Sequence, residues 1–310
     1  MTELLKTASL TVNLAGLNLV NPTMLASGIL GYSSEMLENI AESGAGAVIT
    51  KSVCARPREG YGNPTLVQVG SGLINAMGLP NPGIVEFLKE IHQAKTRLQV
   101  PLVVSVFEYS AEQYADVAKK AVAADADAVE LNVSCPHVKD TGSEIGRDPT
   151  ILAQVIRKVK KAIDKPVLVK LSPNVSNLVE IADAAKKSGA DALTIMNTVK
   201  AMAIDVDAMT PILANKVGGL SGPAIKPIAI WNVYNVFEQV RIPLIGCGGI
   251  ANWKDAVEFL LAGASAVQIG SAIAALGPDL FHEVTIGIAA YLKKKGFRSV
   301  EEIVGRAHRA

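Results

Sequence analysis

Short apolar runs separated by amphipathic stretches set the rhythm of this chain. The runs fall at residues 23–27, 47–52, 102–106, 128–133, 167–171, 192–196, 243–246 and 266–269. They are rich in Val, Ile, Leu and Ala, with apolar residues in succession rather than alternation. A strand covered on both faces carries that pattern, because neither side meets water. Between the runs, apolar positions recur at helical spacing. Ser110 with Gln113 forms a capping box ahead of a helix with Tyr114, Val117, Ala118, Ala121 and Val122 on one face. Asn252 caps a second helix, which buries Ala256, Phe259 and Leu260. Strand and helix in alternation predict βα units and a parallel sheet. Eight units in a row favour an α/β fold of the closed (β/α)8 TIM-barrel kind over an open doubly wound sheet.

Ahead of the first run, residues 10–12 and 17–20 flank Gly16 and predict a short β-hairpin able to close the N-terminal end of the barrel. No composition shift marks a second domain, so residues 1–310 are expected to form one barrel domain. Two connections exceed the ~2–6 residues usual between strand and helix. They run from Val53 to about Pro80 and from Asn197 to Gly222, both rich in Gly, Pro and Asn. Long loops on one rim are candidates for substrate lids.

Composition narrows the picture. The 310 residues are 49% hydrophobic and 19% charged, ordinary for a globular protein and enough for one large core. A net charge of +1 makes no case for nucleic-acid binding. The run Lys293-Lys294-Lys295 reads as a solvated helix end, stopped by Gly296. Three cysteines, at 54, 135 and 247, include no C-x-x-C pair, so neither a disulfide framework nor a metal or iron–sulfur site is expected on this chain. Free thiols suit a reducing cytoplasm. The N-terminus lacks a signal-peptide layout, and no apolar run reaches the ~18 residues of a membrane span. A cytoplasmic protein without membrane contact is the expectation.

The chemistry gathers at the ends of the predicted strands, where barrel active sites lie. The densest stretch is Glu130-Leu131-Asn132-Val133-Ser134-Cys135-Pro136-His137, which carries an amide and then a thiol into a Pro-bounded loop. A cysteine there can be a nucleophile, a base or a buried packing residue. Cys54 and Cys247 read as packing residues, and His137 as a loop residue. Gly248-Gly249 and Gly270-Ser271, after strands seven and eight, form the turns at which barrels hold phosphate, with Ser221-Gly222 as a third contact. Lys51 and Lys170 end apolar strands. Such a lysine either snorkels to the surface or meets an anionic ligand, or a cofactor that gains negative charge. Asn75, Asn132 and Asn197 each both donate and accept, which suits a planar ligand edged with carbonyls and N–H groups.

Together these segments resemble dihydroorotate dehydrogenase. The likeness rests on Lys51-Ser52, Asn75-Ala76-Met77-Gly78-Leu79-Pro80-Asn81, Asn132-Val133-Ser134-Cys135-Pro136, Asn197-Thr198, Gly218-Gly219-Leu220-Ser221-Gly222-Pro223 and Gly248-Gly249-Ile250, in order over almost the whole chain. It implies an FMN-binding (β/α)8 barrel that oxidises dihydroorotate to orotate in pyrimidine synthesis. Cysteine at 135 resembles class 1, and the stretch around Asn197-Thr198, Ala203-Ile204-Asp205 and 218–222 is most similar to class 1B. That class pairs the barrel with a subunit carrying FAD and a 2Fe–2S cluster and passes electrons to NAD, around a homodimer core within a heterotetramer. Class 1A, a homodimer using fumarate, is the alternative. The resemblance implies that Cys135 is the base. Lys51, Asn75, Met77, Gly78, Leu79, Asn132, Asn197 and Thr198 would hold substrate. Ser27, Lys51, Ser52, Ser105, Asn132, Lys170, Ile195, Gly222, Gly248, Gly249, Gly270 and Ser271 would hold FMN. Ser105-Val106-Phe107-Glu108 departs from the family pattern, which has Asn and small residues there. Two rivals remain: a flavin electron carrier without turnover, and a flavin-free phosphate-binding barrel with Cys135 as covalent nucleophile.

Overall fold

Eight parallel strands run round a barrel in the computed structural model, which describes residues 8–133 and 145–309. The strands are Thr23–Leu25, Val48–Ile49, Leu102–Val106, Ala128–Asn132, Val167–Leu171, Ala192–Ile195, Leu244–Cys247 and Ala266–Ile269. Their hydrogen-bonded order is 1-8-7-6-5-4-3-2. The ring closes between strands one and two through a parallel bridge of Met24 with Ala47 and the bond from Leu25 N–H to the Ala47 carbonyl, 3.1 Å. Each predicted strand is present. Strand two is shorter than residues 47–52, because its ladder is regular only over Val48–Ile49. The chain continues beside strand three, with Thr50 N–H donating to Val103 O and Val53 N–H to Ser105 O, both at 3.0 Å.

The helices follow the sequence pattern. Ser110 caps Ala111–Ala123, and Tyr114, Val117, Ala118 and Ala121 are buried while Val122 packs at the margin. Asn252 caps Trp253–Ala262, where Ala256, Phe259 and Leu260 are fully buried. Leu280–Lys295 ends at Gly296, whose φ of 76° is the left-handed stop that glycine supplies. No helix among the described residues is long and apolar enough to cross a membrane.

The hairpin is Val12–Leu14 with Leu17–Leu19: its first strand lies two residues later than expected, and its second matches the expected start and ends one residue earlier. Ala15 and Gly16 both take positive φ, the primed turn that a two-residue hairpin favours, and this fixes the register. Leu14 and Leu19 are fully buried in the barrel's main core.

The two long connections are not separate loops. Leu66–Val69, Gly72–Asn75, Gly218–Ser221 and Val199–Ala201 form one antiparallel sheet, with Gly219 opposite Asn75. It has its own small core of Ile74, Ala76 and Leu213. A shorter hairpin, Ile204–Asp205 with Thr210–Pro211, extends from it.

Candidate active site

A cavity of about 330 Å³ opens at the C-terminal ends of the barrel strands, within the size range of small-molecule sites. Leu66, Leu73, Asn75 and Ser221 line it from the four-stranded sheet. Lys51, Asn132, Lys170, Asn197, Gly248 and Gly270 line it from the barrel strand ends.

Two side chains in it carry positive charge. Lys170, on strand five, is 4% exposed, and its Nζ donates to Ser27 Oγ at 3.1 Å and Gln268 Oε1 at 2.9 Å. Lys51 is 6% exposed and lies 4.4 Å from the centroid of the Tyr32 ring. Among the described residues it makes neither a hydrogen bond through Nζ nor an ion pair. Burial pulls its ammonium down to about 8. The same burial pushes the Tyr32 phenol up.

A chain of amides and hydroxyls crosses the wall. Ser105 Oγ and Ser52 Oγ are 2.9 Å apart, Asn132 Nδ2 donates to Ser52 Oγ at 3.0 Å, and Asn197 Nδ2 to Asn132 Oδ1 at 3.5 Å. Asn197 Oδ1 in turn accepts from Thr198 N–H at 2.7 Å. The Tyr114 hydroxyl donates to the Asn132 carbonyl at 3.0 Å, so a helix pins the end of strand four. These bonds fix the amide orientations before any ligand arrives.

Glycine turns close the opposite side. Gly222 and Gly249 take φ of 101° and 77°. A Cβ on Gly249 would meet the Gly222 carbonyl at 2.8 Å, and one on Gly222 would meet Gly72 Cα at 2.8 Å. Only glycine lets these three backbones pack together. The N–H groups of Gly248 and Gly249 have no protein acceptor among the described residues, which suits an anion.

Of the residues implied by the resemblance, Ser27, Lys51, Ser52, Asn75, Met77, Gly78, Leu79, Asn132, Lys170, Asn197, Thr198, Gly222, Gly248, Gly249, Gly270 and Ser271 line this one cavity. Ser105 and Ile195 do not: Ser105 lies behind Ser52, and Ile195 is wholly buried in strand six. Cys135 and His137 lie outside the described residues. Phe107 and Glu108 do not crowd the rim, because both are buried. Glu108 accepts from the Ala55 N–H at the root of the first long connection, and burial pushes its carboxyl up. Cys247 lines the cavity, and burial pushes its thiol up, away from reactivity.

Sequence reading missed Tyr32, Glu130, Thr194 and Gln268. The last three are polar residues inside apolar strands, the same signal that marked Lys170. Tyr32 follows a glycine-containing turn and carries no comparable mark.

A family model of dihydroorotate dehydrogenase matches residues 9–292. The chain belongs to the dihydroorotate dehydrogenase family. Among its relatives within that family is the "Dihydroorotate dehydrogenase B (NAD(+)), catalytic subunit" of Pyrococcus abyssi, 51% identical over 96% of this chain and 99% of the relative. The protein of the same name from Methanosarcina acetivorans is 46% identical over 96% of this chain and 95% of the relative. The crystal structure of DHODH from Eimeria tenella in complex with ferulenol superposes with a TM-score of 0.86, covering 97% of this chain and 89% of that one. At 22% identity that likeness shows the dihydroorotate dehydrogenase barrel as a fold.

Proposed function

We propose that this chain is the catalytic subunit of a class 1B dihydroorotate dehydrogenase, oxidising dihydroorotate to orotate in pyrimidine synthesis with FMN bound in the cavity. Its near-full-length relatives are named dihydroorotate dehydrogenase B (NAD(+)), catalytic subunit, which supports both the reaction and the class. The observation that carries the reading is the cavity itself: two buried lysines, a fixed row of amides and a glycine-lined anion cradle meet at one barrel mouth. That donor set fits a planar, phosphate-bearing cofactor beside a carboxylated ring.

Gly222, Gly248, Gly249, Gly270 and Ser271 would hold the phosphate, through backbone N–H groups that approach closely. Lys170 and Ser27 would meet the pyrimidine edge of the isoalloxazine. Lys51 binds the substrate carboxylate. Asn75, Asn132, Asn197 and Thr198 hydrogen-bond the ring edge, and Met77, Gly78 and Leu79 shape its pocket. Cys135 takes the proton from C5 as the C5–C6 double bond forms. FMN supplies the acceptor for the hydride leaving C6. The electrons pass to NAD through a partner subunit carrying FAD and a 2Fe–2S cluster, with two copies of this chain at the core of a heterotetramer.

Anaerobic addition of dihydroorotate to the FMN-loaded chain should bleach the yellow flavin band. A band that persists rejects the enzyme reading and favours an electron carrier. The isolated chain should not reduce NAD, and unaided NAD reduction would reject the partner. Native mass and iron content of the complex test its composition.

A further inference from the structure

At the floor of the cavity, which Gln268 lines, Glu130, Thr194 and Gln268 from strands four, six and eight are 0%, 0% and 1% exposed. Glu130 Oε1 accepts the Ser27 hydroxyl at 2.7 Å. Its Oε2 accepts Gln268 Nε2 at 2.7 Å and the Thr194 hydroxyl at 3.1 Å. Ser27 and Gln268 are also the two partners of Lys170. Glu130 therefore reaches Lys170 through one hydroxyl and one amide.

The direction of each bond follows from chemistry. A carboxylate only accepts and an ammonium only donates. The single Ser27 proton goes to Glu130, so its oxygen is left to accept from Lys170. Gln268 fits one way only, with its NH2 toward Glu130 and its carbonyl toward Lys170. The ammonium has three N–H groups, and these partners take two. The third is left for the cavity that Lys170 lines.

We propose that Glu130 is a positioning residue: by forcing Ser27 and Gln268 to present acceptors, it aims the Lys170 ammonium at the cofactor and so sets the reduction potential of bound FMN. This rests on the FMN reading above. A fixed charge at the cofactor's pyrimidine edge favours whichever redox state carries more negative charge there. Aim matters because the attraction weakens with distance in a dry site. A network of this kind acts as a unit.

Glu130→Gln is the test, read as the midpoint potential of FMN in the full catalytic chain. Gln at 130 both donates and accepts, so Gln268 is free to turn its NH2 toward Lys170 and displace it. The expected result is a lower midpoint, by about tenfold in the oxidised-to-reduced equilibrium, or about 30 mV for two electrons. The midpoint is a ratio of affinities for two states, so a uniform loss of FMN binding leaves it unmoved. In a Lys170→Met background, Glu130→Gln should add nothing. A raised midpoint would mean that the carboxylate acts through its field alone, and overturns the proposal, as does an unchanged one. Thr194→Val offers a second variant of nearly equal shape, outside the cavity lining. It should shift the midpoint in the same sense by a few-fold, and no shift there also overturns the proposal. A wild-type chain that fails to bind FMN rejects the function itself, whereas FMN binding with unmoved midpoints rejects only the role of Glu130.

Discussion

Lys170 and Lys51 enter one cavity, are equally buried, and live in opposite surroundings. Lys170 has two hydrogen-bond acceptors and a carboxylate one step beyond. Lys51 has an aromatic face at 4.4 Å. Burying a charge is costly where no counter-charge among the described residues offsets it, and that cost is why burial pulls the Lys51 ammonium from 10.5 down to about 8. At ~1.36 kcal/mol per tenfold, it is on the order of 3 kcal/mol. The contrast teaches a division of labour. The lysine with built-in partners is held at one point, which suits a resident cofactor. The lysine that stays costly suits an anion that comes and goes, because only the arriving carboxylate offsets its desolvation.

The division gives both lysines binding roles and leaves proton transfer to neither, and Cys135→Ala tests that. A general base is worth roughly 10²–10⁴ in rate, so kcat should fall by about that factor with FMN content unchanged. A normal kcat would return proton transfer to the lysines and break the comparison. Lys51→Met sharpens it from the binding side. Removing one partner of a buried charge pair costs about 2–5 kcal/mol, so kcat/KM for dihydroorotate should fall by roughly 30-fold to a few thousand-fold. FMN should remain bound. If Lys51→Met instead empties the cavity of FMN while Lys170→Met does not, the two roles are reversed.

Much of this was legible beforehand, for a physical reason. Strands buried on both faces must be apolar throughout, so all eight announce themselves. Lys51 and Lys170 stand out against that background, and the glycine turns follow strands seven and eight. The four-stranded antiparallel sheet over the cavity was not legible. Its strands are three or four residues long, and Asn75 pairs with Gly219, 144 residues away. No local periodicity encodes such a pairing. Glu130 and Gln268 were legible in principle, being as misplaced in apolar strands as Lys170. Their meaning appears only when strands four, five and eight converge. Ser105 shows the converse: it ends a strand as a site residue should, yet Ser52 stands between it and the cavity.

The smallest effect is the most direct measure of the contrast, because it needs no ligand. Burial pulls the folded-state Lys51 ammonium down to about 8, against 10.5 when unfolded. Below pH 8 both states carry the proton, and the folded state bears the full desolvation cost. Between 8 and 10.5 the folded state sheds its proton while the unfolded state keeps it, so stability rises with pH. Above 10.5 neither is charged and the cost is gone. Lys51→Met should therefore stabilise the protein at pH 7, by at most about 3 kcal/mol. The gain should shrink steadily toward pH 10. Urea midpoints of both proteins across that range give the difference directly, and other titrating groups cancel in it. A gain that stays flat with pH would mean that methionine merely packs better, and that Lys51 bears no desolvation cost for a carboxylate to offset.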